Sequence, residues 1–323
     1  MARNPPAARA GESIISRIGL GLAALGRPAY INLGRVAELP ASRDVEQMRS
    51  AAHEVLDAAY AAGVRWVDVA RSYGLAEDFL ADWLTARGHP DVTVSSKWGY
   101  AYVGGWRMDA EVHEVKEHSL ARFRAQWAES RELLGDSVAL YQVHSLTSGS
   151  PLFTDEPLLD ALASLGAQGV RIGFSTSGPA QADTVRRAFA LEVAGVPVFT
   201  AVQATWNLFE PSAGESLAET HADGNLVLVK ESLANGRLVA EPPAVLSEIA
   251  AARGAGPDAV ALAAVLAQPW AGRVLAGPSS VAQLNANLRA ADVTLSEAEL
   301  AALQGIGEPA AAYWARRSCL SWQ

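Results

Sequence analysis

Four side chains of the types that transfer protons lie near the ends of apolar, β-rich runs in this sequence: Asp68, Tyr73, Lys97 and His144. Alternation along the runs places Asp68, Lys97 and His144 on one face of their strands. An aspartate and a lysine that face inward from adjacent strands would form a buried ion pair. Buried charges are costly unless they are paired or used in chemistry.

An ammonium near Tyr73 would lower the pKa of its phenol from about 10, so that the hydroxyl exchanges a proton nearer neutral pH. A lone lysine at a strand end is often a solvated terminus, and a lone histidine is more often structural than catalytic. The combination is more informative than its members, and it predicts a site that reduces a carbonyl group or oxidises an alcohol.

Short β-rich runs alternate with longer segments of helical period along the chain. The predicted strands are Ile18–Leu22, Arg65–Val69, Val92–Lys97, Val138–His144, Gly169–Ser175, Phe199–Ala204, Leu226–Lys230 and Arg273–Ala276. The predicted helices are Val45–Ala62, Ala76–Ala86, Glu111–Leu134, Pro157–Ala167, Pro179–Ala190, Ser216–His221, Leu246–Ala267 and Ser280–Ala290.

This order predicts an α/β fold, a (β/α)8 TIM barrel of parallel strands that forms a single domain over residues 1–323. An open doubly wound sheet would usually carry a glycine-rich phosphate loop after its first strand, whereas Gly19 and Gly21 lie inside the first predicted strand. Active sites of such barrels lie at the C-terminal ends of the strands. We expect the tail from Tyr313 to Gln323 to cover that face.

Composition excludes several classes of function. A net charge of -9 with no run of basic residues argues against nucleic-acid binding. The longest apolar runs, such as Ala259–Ala267, fall short of the roughly 20 residues that a membrane helix needs. A single cysteine, Cys319, suits a reducing compartment, so we expect a cytoplasmic protein. His113 and His118, five positions apart, are interpreted as surface residues, and no metal is expected.

Three segments resemble the aldo-keto reductase family, and the resemblance runs from about Ile18 to Asn287. The segments are Val67-Asp68-Val69-Ala70-Arg71-Ser72-Tyr73-Gly74 with Glu77, then Ser96-Lys97, then Tyr141-Gln142-Val143-His144. The resemblance implies that Tyr73 is the general acid in carbonyl reduction and that Lys97 lowers its pKa. It also implies that Asp68 holds Lys97 and that His144 orients the substrate carbonyl.

The same resemblance implies a nicotinamide cofactor. The residues implied to bind it are Gly21, Ser175, Thr176, Gln203, Lys230, Ser232, Leu233, Asn235, Gly236, Arg237, Gly277, Ser279, Ser280, Gln283 and Asn287. Thr176 stands where the family has Asn, and Lys230 stands where a Tyr usually stacks on the nicotinamide. NADP(H) is preferred on family grounds. NAD(H) is the alternative, because no basic residue for a 2'-phosphate occurs between Gly277 and Asn287.

A substrate pocket rich in aromatic side chains is also expected, suited to stacking on rings or sugar faces. Its predicted members are Trp98, Tyr100, Trp106, Trp206 and Trp314, together with Trp322 of the tail. The alternative is that several of these tryptophans only close the top of the barrel. The partner would be a small carbonyl, alcohol or sugar molecule, and the sequence predicts no oligomeric state.

Two other functions compete with the reductase hypothesis. Lys97 is a candidate for the amine of a Schiff-base lyase, since strand-end lysines in barrels serve in that role. An Asp68 partner would keep that amine charged, which argues against a lyase. The departures at Thr176 and Lys230 motivate the second alternative, a regulatory barrel that binds the cofactor without turnover.

Overall fold

The computed structural model describes residues 13–34 and 38–322, and its core is a closed barrel of eight parallel strands. In their order around the barrel the strands are β1 (Ile18–Gly21), β12 (Arg273–Ala276), β11 (Leu226–Lys230), β10 (Ala201–Thr205), β7 (Arg171–Thr176), β6 (Val138–Leu146), β3 (Thr93–Trp98) and β2 (Trp66–Asp68). Each predicted strand matches one of these within a few residues. The predicted TIM barrel is therefore confirmed.

Helices connect consecutive barrel strands and form the outer layer. They are α1 (Val45–Ala61), α2 (Ala76–Arg87), α3 (Leu120–Leu134), α4 (Glu156–Ala167), α5 (Gln181–Phe189), α6 (Gly214–Ala222), α7 (Arg237–Ala240), α8 (Ala244–Arg253), α9 (Pro257–Leu266), α10 (Val281–Leu288), α11 (Glu297–Gln304) and α12 (Ala310–Ser318). Two short antiparallel hairpins, β4 (Tyr100–Tyr102) with β5 (Glu114–Lys116) and β8 (Glu192–Val193) with β9 (Val196–Pro197), lie outside the barrel.

Two apolar layers hold the barrel. A cluster of strand residues packs together inside it, and a larger cluster fills the space between strands and helices. In α1 the buried side chains recur at helical spacing, so the helix presents an apolar stripe to the strands. The inner cluster consists of Trp66, Leu140, Ala201, Leu226, Leu228 and Leu275. Apolar residues thus fill one end of the barrel and leave the polar strand ends at the other.

The predicted helix Glu111–Leu134 is wrong in its first half. Residues Glu114–Lys116 form β5, which pairs with β4, and α3 begins only at Leu120. Ser119 starts this helix because its side chain accepts a hydrogen bond from the backbone N–H of Arg122. Residues before an N-cap of this kind are not helical. The sequence interpretation overlooked Ser119 as the N-cap.

The predicted helix Leu246–Ala267 is two helices. Gly254 takes a left-handed conformation that ends α8, and Pro257 occupies the first turn of α9. Among the described residues, no single helix is long and apolar enough to cross a membrane; α8 and α9 would pass such a test together but are bent by 93°.

Candidate active site

The structure brings the four predicted catalytic residues together at the C-terminal ends of β2, β3 and β6. The Lys97 ammonium forms an ion pair with Asp68 Oδ1 and donates a second hydrogen bond to the carbonyl oxygen of Val69, at 3.0 Å. Lys97 Nζ lies 4.7 Å from the centroid of the Tyr73 ring. The rings of Tyr73 and His144 meet edge to face, with centroids 5.5 Å apart.

Asp68 is the centre of a buried hydrogen-bond network. Its Oδ2 atom accepts hydrogen bonds from the hydroxyl of Ser95 at 2.6 Å and from the amide of Gln203 at 2.8 Å. The amide of Gln142 lies 3.4 Å from the same oxygen. A carboxylate held by this many donors has a fixed position, and it fixes the position of the Lys97 side chain in turn.

A tight turn positions Tyr73 over the ion pair. The backbone N–H of Tyr73 donates to the carbonyl of Ala70 at 3.0 Å, and Gly74 follows with a φ of +62°. A Cβ atom on Gly74 would lie 2.4 Å from the carbonyl oxygen of Gly26 in the loop after β1, which only glycine permits. This loop and the Tyr73 turn therefore pack directly against each other.

The electrostatics of Tyr73 differ from the sequence prediction. Burial, followed by the negative charge of Asp68, raises the pKa of Tyr73 well above its ordinary value, whereas we expected Lys97 to lower it. The reason is that burial of the phenol disfavours its charged form, and that the Asp68 carboxylate adds a repulsion that the prediction left out. Burial and then the Lys97 charge depress the pKa of His144, whose Nδ1 lies 3.2 Å from the Ser72 hydroxyl. Both groups are therefore neutral near pH 7.

His113 and His118 are buried, and their interpretation as surface residues is wrong. Both belong to the segment around β5 that packs over the barrel mouth rather than to a helix. His118 Nε2 lies 2.8 Å from the carbonyl oxygen of His144, and its Nδ1 lies 2.8 Å from the Ser150 hydroxyl. Burial lowers the pKa of His118 to about 4.

The depressed pKa of His118 predicts a loss of stability in acid. Below pH 6.5 the unfolded chain binds a proton that the folded chain excludes, so the free energy of unfolding falls as the pH drops toward 4. The contribution is at most about 1.4 kcal/mol per pH unit. Urea unfolding between pH 7 and pH 4 should show a shallower decline for His118→Gln than for the wild type. His221→Gln controls for removal of an imidazole elsewhere, and parallel curves for wild type and His118→Gln would contradict the prediction.

A cavity of about 750 Å³ opens at this face of the barrel. Tyr73, His144 and Asp68 line one part of it. Most of the predicted cofactor residues line it too: Gly21, Gln203, Lys230, Ser232, Leu233, Asn235, Gly236, Gly277, Gln283 and Asn287. One continuous space therefore connects Asp68, Tyr73 and His144 with the loops after β11 and β12, and Lys97 lies buried behind it.

Five predicted cofactor residues do not line the cavity in this structure. Ser175 accepts a hydrogen bond from the backbone N–H of Ser145, and the Thr176 hydroxyl donates to Gln181. Arg237 pairs with Glu308 and packs over the Phe209 ring, so its side chain points away from the cavity. The remaining two, Ser279 and Ser280, lie next to the lining residues Pro278 and Gln283.

The predicted aromatic pocket needs correction. Tyr100 and Trp322 line the cavity, but four of the predicted tryptophans do not: Trp98, Trp106, Trp206 and Trp314. Trp98 follows Lys97 on β3 and so points to the opposite face, where its ring packs against Phe123. Trp106 packs against Phe79, Trp206 against Trp270, and Trp314 against Tyr313. These four tryptophans therefore belong to the hydrophobic core and its margin rather than to the cavity wall.

Comparisons with known proteins agree with this geometry. The family model described as the aldo/keto reductase family matches residues 17–308. This chain belongs to the aldo/keto reductase family. An aldo-keto reductase of Strobilurus tenacellus, str7, is 28% identical over 94% of this chain and 92% of that protein. Protein tas of Escherichia coli is 25% identical over 79% of this chain and 88% of that protein.

A solved aldo-keto reductase from Bacillus halodurans, in its holo form, shares the fold. Its TM-score is 0.66 at 21% identity, with 96% of this chain and 98% of that chain covered. As an aldo/keto reductase, the present protein is a nicotinamide-dependent oxidoreductase.

The residues around the cavity fit a dinucleotide. Two buried polar atoms of the aldo/keto reductase loops, Asn235 Oδ1 and Ser279 Oγ, have no hydrogen-bond partner within the described structure. Buried polar atoms without partners are rare in folded proteins, and a bound polar molecule is one explanation for them. Asn235 and Gly236, which take positive φ values in the turn after β11, also line the cavity.

Sequence reasoning missed several residues of this aldo/keto reductase site. Arg27 and Tyr30, from the loop after β1, line the cavity, and Arg27 lies over the Tyr73 ring at 5.1 Å from its centroid. Glu114 forms an ion pair with Arg27 at 2.8 Å. One signal in the sequence could have revealed Arg27 and Tyr30. The loop after β1 has more than 20 residues and lies at the active-site end of the barrel, where loops supply site residues.

A second ion-pair cluster surrounds Lys230 at the end of β11, the position where the sequence departs from the family's usual Tyr, and the sequence analysis missed its partner Arg317. The Arg317 side chain of α12 donates two hydrogen bonds to Glu231, and Lys230 Nζ lies 3.5 Å from the same carboxylate. Burial raises the pKa of Glu231, but the charges of Arg317 and Lys230 outweigh it and lower the pKa to about 2. Burial lowers the pKa of Lys230 to about 8. The C-terminal helix is thereby held against the cavity wall.

Proposed function

We propose that this aldo/keto reductase transfers hydride between NADP(H) or NAD(H) and the carbonyl group of an aldehyde, ketone or sugar, and that Tyr73 carries the proton. The observation that carries the proposal is the convergence of Tyr73 and His144 on one cavity, with the Lys97–Asp68 ion pair directly behind the phenol. The nicotinamide supplies the hydride when it is bound.

Each of the four side chains has a role that follows from its surroundings. A phenol with a raised pKa is fully protonated at neutral pH and is ready to donate to the oxygen of a carbonyl that is being reduced. The fixed Lys97 ammonium stabilises the negative charge that remains on Tyr73 after this donation. A neutral His144 donates or accepts a hydrogen bond at the substrate oxygen without adding a charge.

The wall of the cavity near Tyr73 suits a small polar substrate. Tyr30, Tyr100 and Trp322 supply aromatic faces there, and Arg27 supplies a charged group that is already paired. Aromatic faces with polar edges bind sugar rings and aromatic carbonyl compounds. Tyr100 and Trp322 keep the substrate-contacting role that the sequence assigned to them, and Tyr30 joins them in place of the other tryptophans.

The geometry also bears on the lyase alternative. A Schiff base requires a neutral amine, whereas the Lys97 amine donates to the Asp68 carboxylate and to the Val69 carbonyl within the barrel. With both of these contacts in place, the amine is held inside the barrel as a hydrogen-bond donor and does not line the cavity. The reductase proposal uses Lys97 in this position, whereas a lyase would need the amine to reach a substrate carbon.

The direct test is a steady-state assay of the purified full chain. NADPH and NADH are each offered with a panel of aldehydes, ketones and aldoses, and consumption of the reduced nicotinamide is followed by its absorbance. We expect turnover of at least one carbonyl compound, with release of the matching alcohol. Tight cofactor binding without turnover of any panel member would contradict the proposal and favour a regulatory barrel.

A further inference from the structure

Two carboxylates, and no described arginine or lysine, line the part of the cavity formed by the loop after β12 and by α10. Glu38 and Asp258 are these carboxylates. The described arginine and lysine residues that line the cavity are Arg27, Lys230 and Arg317, and all three belong to the part around Tyr73 or Glu231. In that part the carboxylates Asp68, Glu114 and Glu231 are each paired with a cation, whereas the described residues hold no ion pair of Glu38 or Asp258.

The donors at the start of α10 already have partners in the protein. The Ser280 hydroxyl donates to Glu38 Oε2 at 2.6 Å and accepts from the backbone N–H of Gln283 at 3.2 Å. The backbone N–H of Ser279 donates to the Gln283 side-chain oxygen at 2.8 Å. A helix N-terminus attracts an anion, and here the Glu38 carboxylate is the anion.

Asp258 makes the same part of the cavity more negative. Its Oδ2 atom accepts a hydrogen bond from the Asn287 amide at 2.9 Å, and it is fixed in the first turn of α9. Together with Glu38 it leaves two carboxylates and no described cation along α10. Carboxylates suit a neutral ligand group that donates hydrogen bonds, such as a sugar diol.

From this charge distribution we infer that Glu38, supported by Asp258, selects NAD(H) over NADP(H) by accepting a hydrogen bond from the ribose 2'-hydroxyl and repelling a 2'-phosphate. A carboxylate is the group that recognises this hydroxyl in other dinucleotide sites. A phosphate dianion would displace Glu38 from Ser280 and would meet no described cation there. The inference rests on the proposed function, because it takes the loop after β12 as the site of the adenosine.

Glu38 reaches this place because the loop after β1 crosses the cavity. The backbone N–H of Leu33 donates to the carbonyl of Asn235 at 2.9 Å, and the Gln283 amide lies 3.5 Å from the carbonyl of Gly34. The loop thus contacts both the loop after β11 and the start of α10 before it arrives at Glu38. Arg35 lies in the same segment of the sequence, outside the described residues. The test below therefore includes an Arg35→Ala variant.

The test is a titration of the full chain with NADH and with NADPH, followed by quenching of tryptophan fluorescence. We expect NADH to bind at least about tenfold more tightly than NADPH at low ionic strength, with a smaller ratio at high salt, because screening weakens a repulsion between exposed charges. Glu38→Gln should tighten NADPH binding, bring the two dissociation constants closer together and make their ratio less dependent on salt. Glu132→Gln, an exposed substitution on α3, should leave all of these values unchanged.

The outcomes separate this inference from the proposed function. If NADPH binds as tightly as NADH or more tightly, or if Arg35→Ala selectively weakens NADPH binding, the inference is overturned and the oxidoreductase stands. If Glu38→Gln leaves the ratio unchanged, Glu38 is not the selecting residue and the inference is also overturned. If neither dinucleotide binds, the proposed function itself fails.

Discussion

Replacing Tyr73 with phenylalanine is expected to lower kcat by about 10²–10⁴-fold while the dissociation constant of the cofactor stays nearly unchanged. The hydroxyl is asked to move a proton, and the ring keeps its packing against His144 and the Lys97 ammonium. Single-turnover kinetics and a fluorescence titration of the same preparation measure the two quantities separately.

Tyr100→Phe is the matched control for this variant. Tyr100 also lines the cavity and its ring lies 5.0 Å from that of His144, but the Lys97 ammonium lies against Tyr73. We expect a much smaller effect on kcat than for Tyr73→Phe. Undiminished turnover in Tyr73→Phe would remove Tyr73 from the proton-transfer step, whatever the control shows.

Replacing Lys97 with methionine should reduce both stability and activity. The substitution leaves the Asp68 carboxylate buried without its counter-charge, and removal of one partner of a buried ion pair typically costs about 3–5 kcal/mol. The Ser95 and Gln203 donors remain and reduce the loss. Urea unfolding measures the stability, and the assay that identifies a substrate measures the activity.

A double variant separates the structural contribution of Lys97 from its chemical one. In Asp68→Asn/Lys97→Met neither charge remains, so much of the lost stability should return. Turnover should not return, because the group that stabilises the deprotonated Tyr73 is still absent. Recovery of turnover in the double variant, or wild-type stability in the single one, would show that the ion pair does not have the role proposed here.

The barrel was predictable because its evidence is local and repeated. Eight apolar runs alternate with helical segments, and each run ends in residues whose type suits a strand end. The two wrong helices fail for a related reason. Ser119 and Pro257 mark helix starts and Gly254 marks a helix end inside longer apolar or charged stretches, and the helical period around them hides these signals.

The candidate site was predictable only in part. Asp68, Lys97 and His144 follow from strand alternation, and the same rule places Trp98 opposite Lys97, which would have removed it from the pocket. The pKa of Tyr73 depends on how deeply the phenol is buried beside Asp68, which sequence does not reveal. Arg27 and Arg317 enter the site from a long loop and a terminal helix, and their placement depends on tertiary contacts alone.

The contact between Arg27 and Trp322 has a consequence for how this site is assembled. The Arg27 guanidinium lies over the Trp322 ring at 4.8 Å from its centroid, and Trp322 stacks in turn on His113 at 4.2 Å. One wall of the cavity therefore joins residues from opposite ends of the described sequence. During synthesis the last barrel strand is complete at Ala276, but this wall cannot form until Trp322 has also left the ribosome and docked, so the barrel precedes its pocket.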